Sequence, residues 1–257
     1  MFGGYQRHIS GPSLWSKLKF FPKPLRKIAG GLIQNSPKTV LDKINPGYPE
    51  WRDRLAKLSK VMSANDFNDF YISLLSQWSP DANIVHGAQE ISIPLTDERW
   101  QAMDLSPLQK MMFLDSLHYL PNDILTKVDR ASMFVSLECR SPLLDYRIYE
   151  YVWGLPDSFK VRHGQGKYLL RKLLEEYYPA ELFNRPKQGF SLPVRSWLRG
   201  HLKDWGESLI NDIDDNLLDK NIIQQRWNSF QNGNDSYFGQ IWTVLMFQGW
   251  YKQWMNS

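Results

Sequence analysis

Cysteine is nearly absent: Cys139 is the only one in 257 residues. No disulfide can form within the chain, and a reducing, cytoplasmic setting is the expected one. No apolar run approaches the length of a membrane span. There is no internal repeat and no low-complexity tract. Strand signals are scarce. Only short pieces such as Glu90–Pro94, EISIP, alternate in the manner of a strand. The net charge of +4 leans towards anions, yet there is no zinc-ligand spacing, no helix-turn-helix and no RNA-binding aromatic signature. A nucleic-acid partner is therefore not expected.

Aromatic residues, by contrast, are abundant. They make up 14% of the chain, with 11 Trp, and so much ring area is costly to leave in water. Together with the helical spacing of apolar residues this predicts a mainly α fold. Pro49–Met62 opens with a proline and continues at helical spacing. Asp66–Trp78 repeats the pattern through Phe67, Phe70, Tyr71, Leu74 and Leu75. Ser106 reads as a cap before Pro107, opening a helix to about His118, and Asn122 as the start of the next. Asp145 is a second cap, for a helix to Val152. Gln165–Tyr178 reads as helix and stops at Pro179. At the end of the chain Trp242, Met246, Trp250 and Trp254 recur every four residues, a stripe expected to pack in a core or an interface. A loop-rich stretch at about 79–99 reads as an insertion or lid rather than a domain boundary, so residues 1–257 are expected to belong to one domain.

Ser16–Gly31, SKLKFFPKPLRKIAGG, is basic with Phe20, Phe21, Leu25 and Ile28 interleaved. Such a segment can lie on an anionic surface. Pro22, Pro24 and the glycines favour instead a surface loop running into a short helix, so a membrane partner is not expected.

Three segments combine charge with apolar context. In Asn122–Arg130, Asp123, Lys127 and Arg130 fall at i, i+4 and i+7 and share a face, while Asp129 projects from another side. That face either looks into a pocket or is an exposed ion pair worth about 0.3–0.5 kcal/mol. In Leu137–Asp145, Glu138 and Arg140 sit among Leu137, Cys139, Leu143 and Leu144. Glu138 is either a carboxylate held in apolar surroundings, with the raised pKa that suits a general base, or half of a structural pair with Arg140. In Arg185–Phe190, RPKQGF, two cations bracket a proline and a glycine follows, a loop able to set an ammonium and backbone N–H groups against phosphate.

At these residues a family resemblance emerges. DILTKVDRASM at Asp123–Met133, followed by SLECRSPLLD at Ser136–Asp145, resembles the long signature of the asparagine synthetase family. Lys167 with Leu170-Arg171 resembles the family's next such segment, and RPKQGFSLP at Arg185–Pro193, followed by Trp197, the one after. Phe2-Gly3-Gly4-Tyr5-Gln6-Arg7-His8 looks like the tail of the family's Asp-Glu-Leu-Phe-Gly-Gly-Tyr motif. Order and spacing agree from the first residues to about Trp197, and the final sixty keep a Trp-rich end.

The resemblance implies the C-terminal helical portion of an α/β ATP-pyrophosphatase (adenine nucleotide α-hydrolase-like) synthetase domain, with most of the parallel sheet missing. It implies an ATP-dependent amide-forming ligase. ATP adenylylates a carboxylate, that of aspartate or a related acceptor, and ammonia from glutamine displaces AMP. ATP and Mg2+ are the implied cofactors. Lys187 matches the lysine the family sets against the departing pyrophosphate, and Glu138 the glutamate of its amide-forming region. Asp123, Lys127, Asp129 and Arg130 are implied to line or buttress the pocket, with Arg140, Lys167, Arg171 and Gly189 as further substrate- or nucleotide-binding positions. No residue here is assigned to metal. The family's Ser-Gly-Gly-x-Asp-Ser loop, its magnesium-holding acids and its glutaminase domain do not occur in these 257 residues. The chain thus reads as a truncation, a split gene product or a fragmentary gene model, inactive when isolated and in need of the missing N-terminal segments. The alternative is a non-catalytic helical interaction module derived from the same family.

Overall fold

The computed structural model describes residues 1–35, 55, 58–79, 82–89, 93–184 and 192–255. The chain divides into two compact units. One holds Met1–Arg26, Ala64–Ile72 and Ile91–Lys187, the other Lys27–Ser63, Ser73–Glu90 and Gln188–Ser257. Helix dominates both, in line with the sequence. The only strands among the described residues form a two-stranded antiparallel ribbon.

In the first unit α1, Gln6–Leu18, lies against a helix opened by Ser106. The close approach needs Gly11, because a Cβ there would stand 2.5 Å from the Met111 methyl. A turn at Lys19–Pro22 leads into α2, Lys23–Asn35, which carries Pro24 in its first turn, where a missing N–H costs nothing. The unit boundary falls within α2, and another falls within α3, Phe67–Leu75. Trp15, Phe67 and Phe70 form a ring cluster with centroids 5.4–6.2 Å apart. A short α4, Glu98–Gln101, follows.

Ser106 starts α5, Pro107–Leu114, through a reciprocal capping box. Its hydroxyl accepts from Gln109 N at 3.1 Å, and Gln109 Oε1 accepts from Ser106 N at 3.0 Å. The predicted stop near His118 and restart at Asn122 are not found. The chain continues without a break as a π-helix, Asp115–Leu125, and then as α6, Thr126–Met133. Pro121 lies inside the π segment. An α-helical path would drive its ring into the carbonyl four residues back, and the wider π turn relieves that clash. The Pro121 carbonyl accepts twice from Thr126, from its backbone N–H and from its Oγ1 at 2.7 Å.

Asp145 caps α7, Tyr146–Gly154, by accepting from Arg147 N at 2.9 Å, as predicted. Trp100, Phe113, Trp153 and Tyr149 follow one another ring to ring, edge-on, tilted and then stacked, their centroids 5.5–6.1 Å apart. Lys160 is buried, and its ammonium donates to the Trp153 and Leu155 carbonyls at 3.3 and 2.8 Å, closing the C-terminus of α7. The predicted helix start at Gln165 is corrected. Gln165–Gly166 is strand β2, paired with β1, Val161–Arg162, around a turn with His163 and Gly164 at positive φ. Lys167 then turns the chain at φ 58° into α8, Tyr168–Glu175, and α9, Ala180–Phe183, follows.

The second unit packs α10, Val194–Arg199, α11, Lys203–Asn211, α12, Lys220–Gln231, and α13, Phe238–Trp254, around one core. Leu198, Leu209, Ile210, Ile223, Trp227, Phe230, Ile241 and Leu245 are its centre. Of the two alternatives for the aromatic stripe, packing in this core is corrected beyond Trp242. The buried line of α13 is Ile241, Val244, Leu245 and Gln248, whereas Met246, Trp250 and Trp254 are exposed. Residues four apart advance about 40° around a helix, so three such steps carry a stripe from the core edge into solvent. Within the predicted loop-rich stretch, His86 N donates to the Leu217 carbonyl at 3.0 Å and Asp219 N to that of Ile84 at 2.9 Å. The strand expected at Glu90–Pro94 falls partly outside the described residues, and Ile93–Thr96 is a turn. Most of residues 49–57 likewise lies outside them, while Leu58–Met62 is helical.

Candidate functional site

The strongest constellation in the first unit is buried and was not singled out from sequence. Asp115, at the junction of α5 and the π-helix, is 6% exposed. Its Oδ2 accepts from Arg7 Nη2 at 2.9 Å and from His8 Nε2 at 2.8 Å, and Oδ1 accepts from the Tyr71 hydroxyl. Burial pushes the Asp115 carboxyl up, but the hydrogen bonds from His8 and Tyr71 and the Arg7 charge outweigh it and hold it below the ordinary value. Burial depresses His8, against the pull of Asp115, and raises Tyr71. The Arg7 guanidinium also covers the rings of Tyr5 and Tyr119, at 4.3 and 4.9 Å from their centroids. One sequence signal pointed here: a lone aspartate in the apolar run MMFLDSLHYL has to be paired if it is buried.

A second constellation joins the Phe-Gly-Gly-Tyr segment to β2 and Lys167. Lys167 N donates to the Phe2 carbonyl at 2.9 Å. Gly3, at φ +64°, has no room for a side chain: a Cβ would stand 2.5 Å from Val161 Cγ2. A Cβ on Gly166 would run into the Gly3 carbonyl oxygen, and one on Gly4 into the Lys167 stem. Lys167 is exposed beyond that stem. Arg171 donates to the Gly166 carbonyl at 3.2 Å and to Asn184 Oδ1 at 3.3 Å, so two of its donors hold the ribbon and α9 in place. Gly3, Gly4, Lys167 and Arg171, read separately from sequence, are thus one local assembly.

The third constellation is exposed. Lys127 Nζ lies 3.5 Å from Asp123 Oδ1, with both side chains at least half in solvent. Asp129 and Arg130 are exposed on α6. Glu138 pairs with Arg140 at 3.0 Å, its side chain 69% exposed. The apolar surroundings expected around Glu138 are not formed, because Leu137, Cys139 and Leu143 are themselves exposed. Phe134, four residues before Glu138 in the chain, is 90% exposed. An open groove of about 380 Å3, lined by Leu125, Cys139, Arg140, Ser141, Leu144 and Asp145, brings the end of the π-helix to the Leu137–Asp145 segment. It presents two ions: the Arg140 guanidinium, and an Asp145 carboxylate held below its ordinary value by hydrogen bonds from Arg147.

Lys187 and Gly189 lie outside the described residues. Among the described residues no three metal-ligating side chains converge.

A sequence model of the family described as asparagine synthase matches residues 1–252, taking in all of these segments. A putative asparagine synthetase [glutamine-hydrolyzing] of Mycobacterium tuberculosis is 27% identical over 255 residues, 98% of this chain and 37% of that protein. Asparagine synthetase [glutamine-hydrolyzing] 1 of Bacillus subtilis is 33% identical over 153 residues, 59% of this chain and 24% of that protein. Amidase chyE of Penicillium rubens is 25% identical over 166 residues, 62% of this chain and 23% of that protein. This chain therefore spans well under half the length of these curated relatives. No solved structure matches it. A family match running through the Phe-Gly-Gly-Tyr segment, the π-helix and its α6 continuation, and the Trp-rich end places the chain in the asparagine synthase family.

Proposed function

We propose that this chain forms part of the synthetase site of an ATP-dependent, amide-forming carbon–nitrogen ligase acting on aspartate or a related carboxylic acid. The observation that carries the proposal is the family match over residues 1–252. The names of the bacterial relatives, asparagine synthetases that hydrolyse glutamine, support aspartate as acceptor and glutamine as the source of ammonia. The acceptor carboxylate attacks the α-phosphorus of ATP, and pyrophosphate leaves. Ammonia then attacks the acyl carbon and loses a proton, and AMP departs with the acyl C–O bonding pair.

Lys187 is assigned to the charge that builds on the departing pyrophosphate, and Gly189 to nucleotide binding. Glu138 is assigned to the proton lost by the attacking amine. Exposed on this chain, Glu138 gains the burial such a base needs only if another surface covers it, and the exposed Phe134, Val135 and Leu137 that precede it in the chain suit being covered. Asp123, Lys127, Asp129, Arg130 and Arg140 contribute charge to the same pocket. Lys167 offers a further cation, and Arg171 positions it through Gly166. Magnesium, if bound, adds charge neutralisation at the phosphates, and its ligands are not found among the described residues. The expected compartment is the cytoplasm.

The 257 residues contain no Ser-Gly-Gly-x-Asp-Ser loop to cradle pyrophosphate, so the isolated chain is expected to be inactive. The test combines it with a polypeptide carrying that loop and offers ATP, aspartate and hydroxylamine in place of ammonia. Aspartyl hydroxamate from the combination supports the assignment. Its absence, with each polypeptide shown to be folded, removes aspartate as the acceptor.

A further inference from the structure

The turn between α1 and α2 and the first turns of α2 present a basic, apolar surface that the ligase assignment leaves unused. Phe20 is 79% exposed, Phe21 60%, Leu25 58% and Ile28 60%. Leu25 and Ile28, at i and i+3, share one face of α2. Lys17, Lys19, Lys23 and Lys27 are exposed as well, and Lys19 Nζ lies 5.9 Å from the Phe20 ring centroid. The first 41 residues contain no Asp or Glu, so nothing on this stretch of chain offsets that charge.

The presentation is fixed by the fold. Phe21 N donates to the Leu18 carbonyl at 3.1 Å and Arg26 N to that of Pro22 at 3.2 Å. Arg26 is buried, its guanidinium 5.8 Å from the Trp15 ring centroid, and its Nε donates to the Phe21 carbonyl at 3.2 Å. One buried cation thus ties the turn down while the two phenylalanines are held in solvent. Pro22 and Pro24, which from sequence argue against a continuous helix, sit in the turn and in the first turn of α2 and leave its 13 residues intact.

We infer that this surface docks on the face of an anionic lipid bilayer. Exposed Phe, Leu and Ile side chains beside lysines, on a short helix with no acidic residue, match what an interfacial helix needs: rings and aliphatic chains at the acyl boundary and ammonium groups among phosphates. An acidic polypeptide complements the charge but gives the apolar side chains no comparable partner. No helix among the described residues is long and apolar enough to cross a membrane, so the contact is peripheral.

The test is co-sedimentation of the full chain with vesicles of equimolar phosphatidylglycerol and phosphatidylcholine, or of phosphatidylcholine alone, at low and high salt. Binding is expected to the anionic vesicles only, and to weaken as salt rises. Phe20→Ser with Phe21→Ser, and separately Lys19→Glu with Lys23→Glu and Lys27→Glu, should each weaken it at least about tenfold. The Lys→Arg counterpart should bind as the parent does. These side chains are exposed, and an unchanged melting temperature confirms the fold of each variant. If a variant does not fold, lipid composition and salt decide alone. No binding, equal binding to neutral vesicles, folded variants that bind like the parent, or retention on polyglutamate without vesicle binding would each overturn the inference.

Discussion

His8 Nε2 lies 2.8 Å from Asp115 Oδ2, and His8 Nδ1 is buried with no hydrogen-bond partner among the described residues. The imidazole therefore serves as a neutral donor to a carboxylate already charged and already paired with Arg7. Burial depresses the His8 pKa below its ordinary 6.5. The sign follows directly. The unfolded chain takes up a proton on His8 at a higher pH than the folded chain does. Stability is then full above pH 6.5 and is lost as pH falls towards the depressed value. The melting temperature should decline between pH 7 and 5, and His8→Gln, which keeps a donor but does not titrate, should flatten that decline. An unchanged slope in the variant removes His8 as its source.

Asp115→Ala should be among the most damaging substitutions in the chain. It strips Arg7 of its ion partner and His8 of its acceptor, and leaves the Tyr71 hydroxyl only the Met111 carbonyl at 3.4 Å. Breaking a buried pair from one side costs about 3–5 kcal/mol. Urea unfolding measures it, and a loss below about 1 kcal/mol contradicts the buried network.

Gly166→Ala tests the join between the Phe-Gly-Gly-Tyr segment and the ribbon. The new methyl meets the Gly3 carbonyl oxygen, which is backbone and cannot swing aside. A loss of about 1–3 kcal/mol is expected. Gly164→Ala, two residues away, meets no atom within 4 Å but sits at φ +74°, so it carries backbone strain alone and should cost less. Equal losses in the two variants argue against the close contact.

Legibility from sequence divided along physical lines. Ser106 and Asp145 were readable because a cap is a local arrangement between one side chain and the next turn. The π-helix was not, because its register is set over eleven residues by Pro121 and by tertiary packing of Asp115, neither of which has a period. Gln165 reads as helix in the sequence because nothing local says that Gly166 must lie against Gly3, 163 residues earlier. The site segments were legible as a resemblance, but not their surroundings: Glu138 looks buried among leucines in the sequence and stands in solvent beside Arg140. The Arg7–His8–Asp115–Tyr71 network links three distant segments and leaves only one trace, the lone aspartate in an apolar run.

Glu138→Gln separates the two readings of that carboxylate. As half of an exposed pair it contributes at most about 1 kcal/mol, so the stability of the chain should not change measurably. As the group that takes the amine's proton, it should lower amide formation by the complemented enzyme about 100-fold or more. Unchanged amide formation assigns Glu138 to the surface pair alone.

The most direct measurement is ATP–pyrophosphate exchange in the presence of aspartate. It is run on the chain alone, on the chain with a polypeptide carrying the Ser-Gly-Gly-x-Asp-Ser loop, and on that combination with Lys187→Ala. Exchange is predicted only for the unsubstituted combination, with Lys187→Ala reducing it sharply, because positioning and charge neutralisation at the phosphates supply most of such catalysis. Robust exchange by the chain alone, or undiminished exchange with Lys187→Ala, would contradict the assignment of this chain as one part of a carboxylate-adenylylating site.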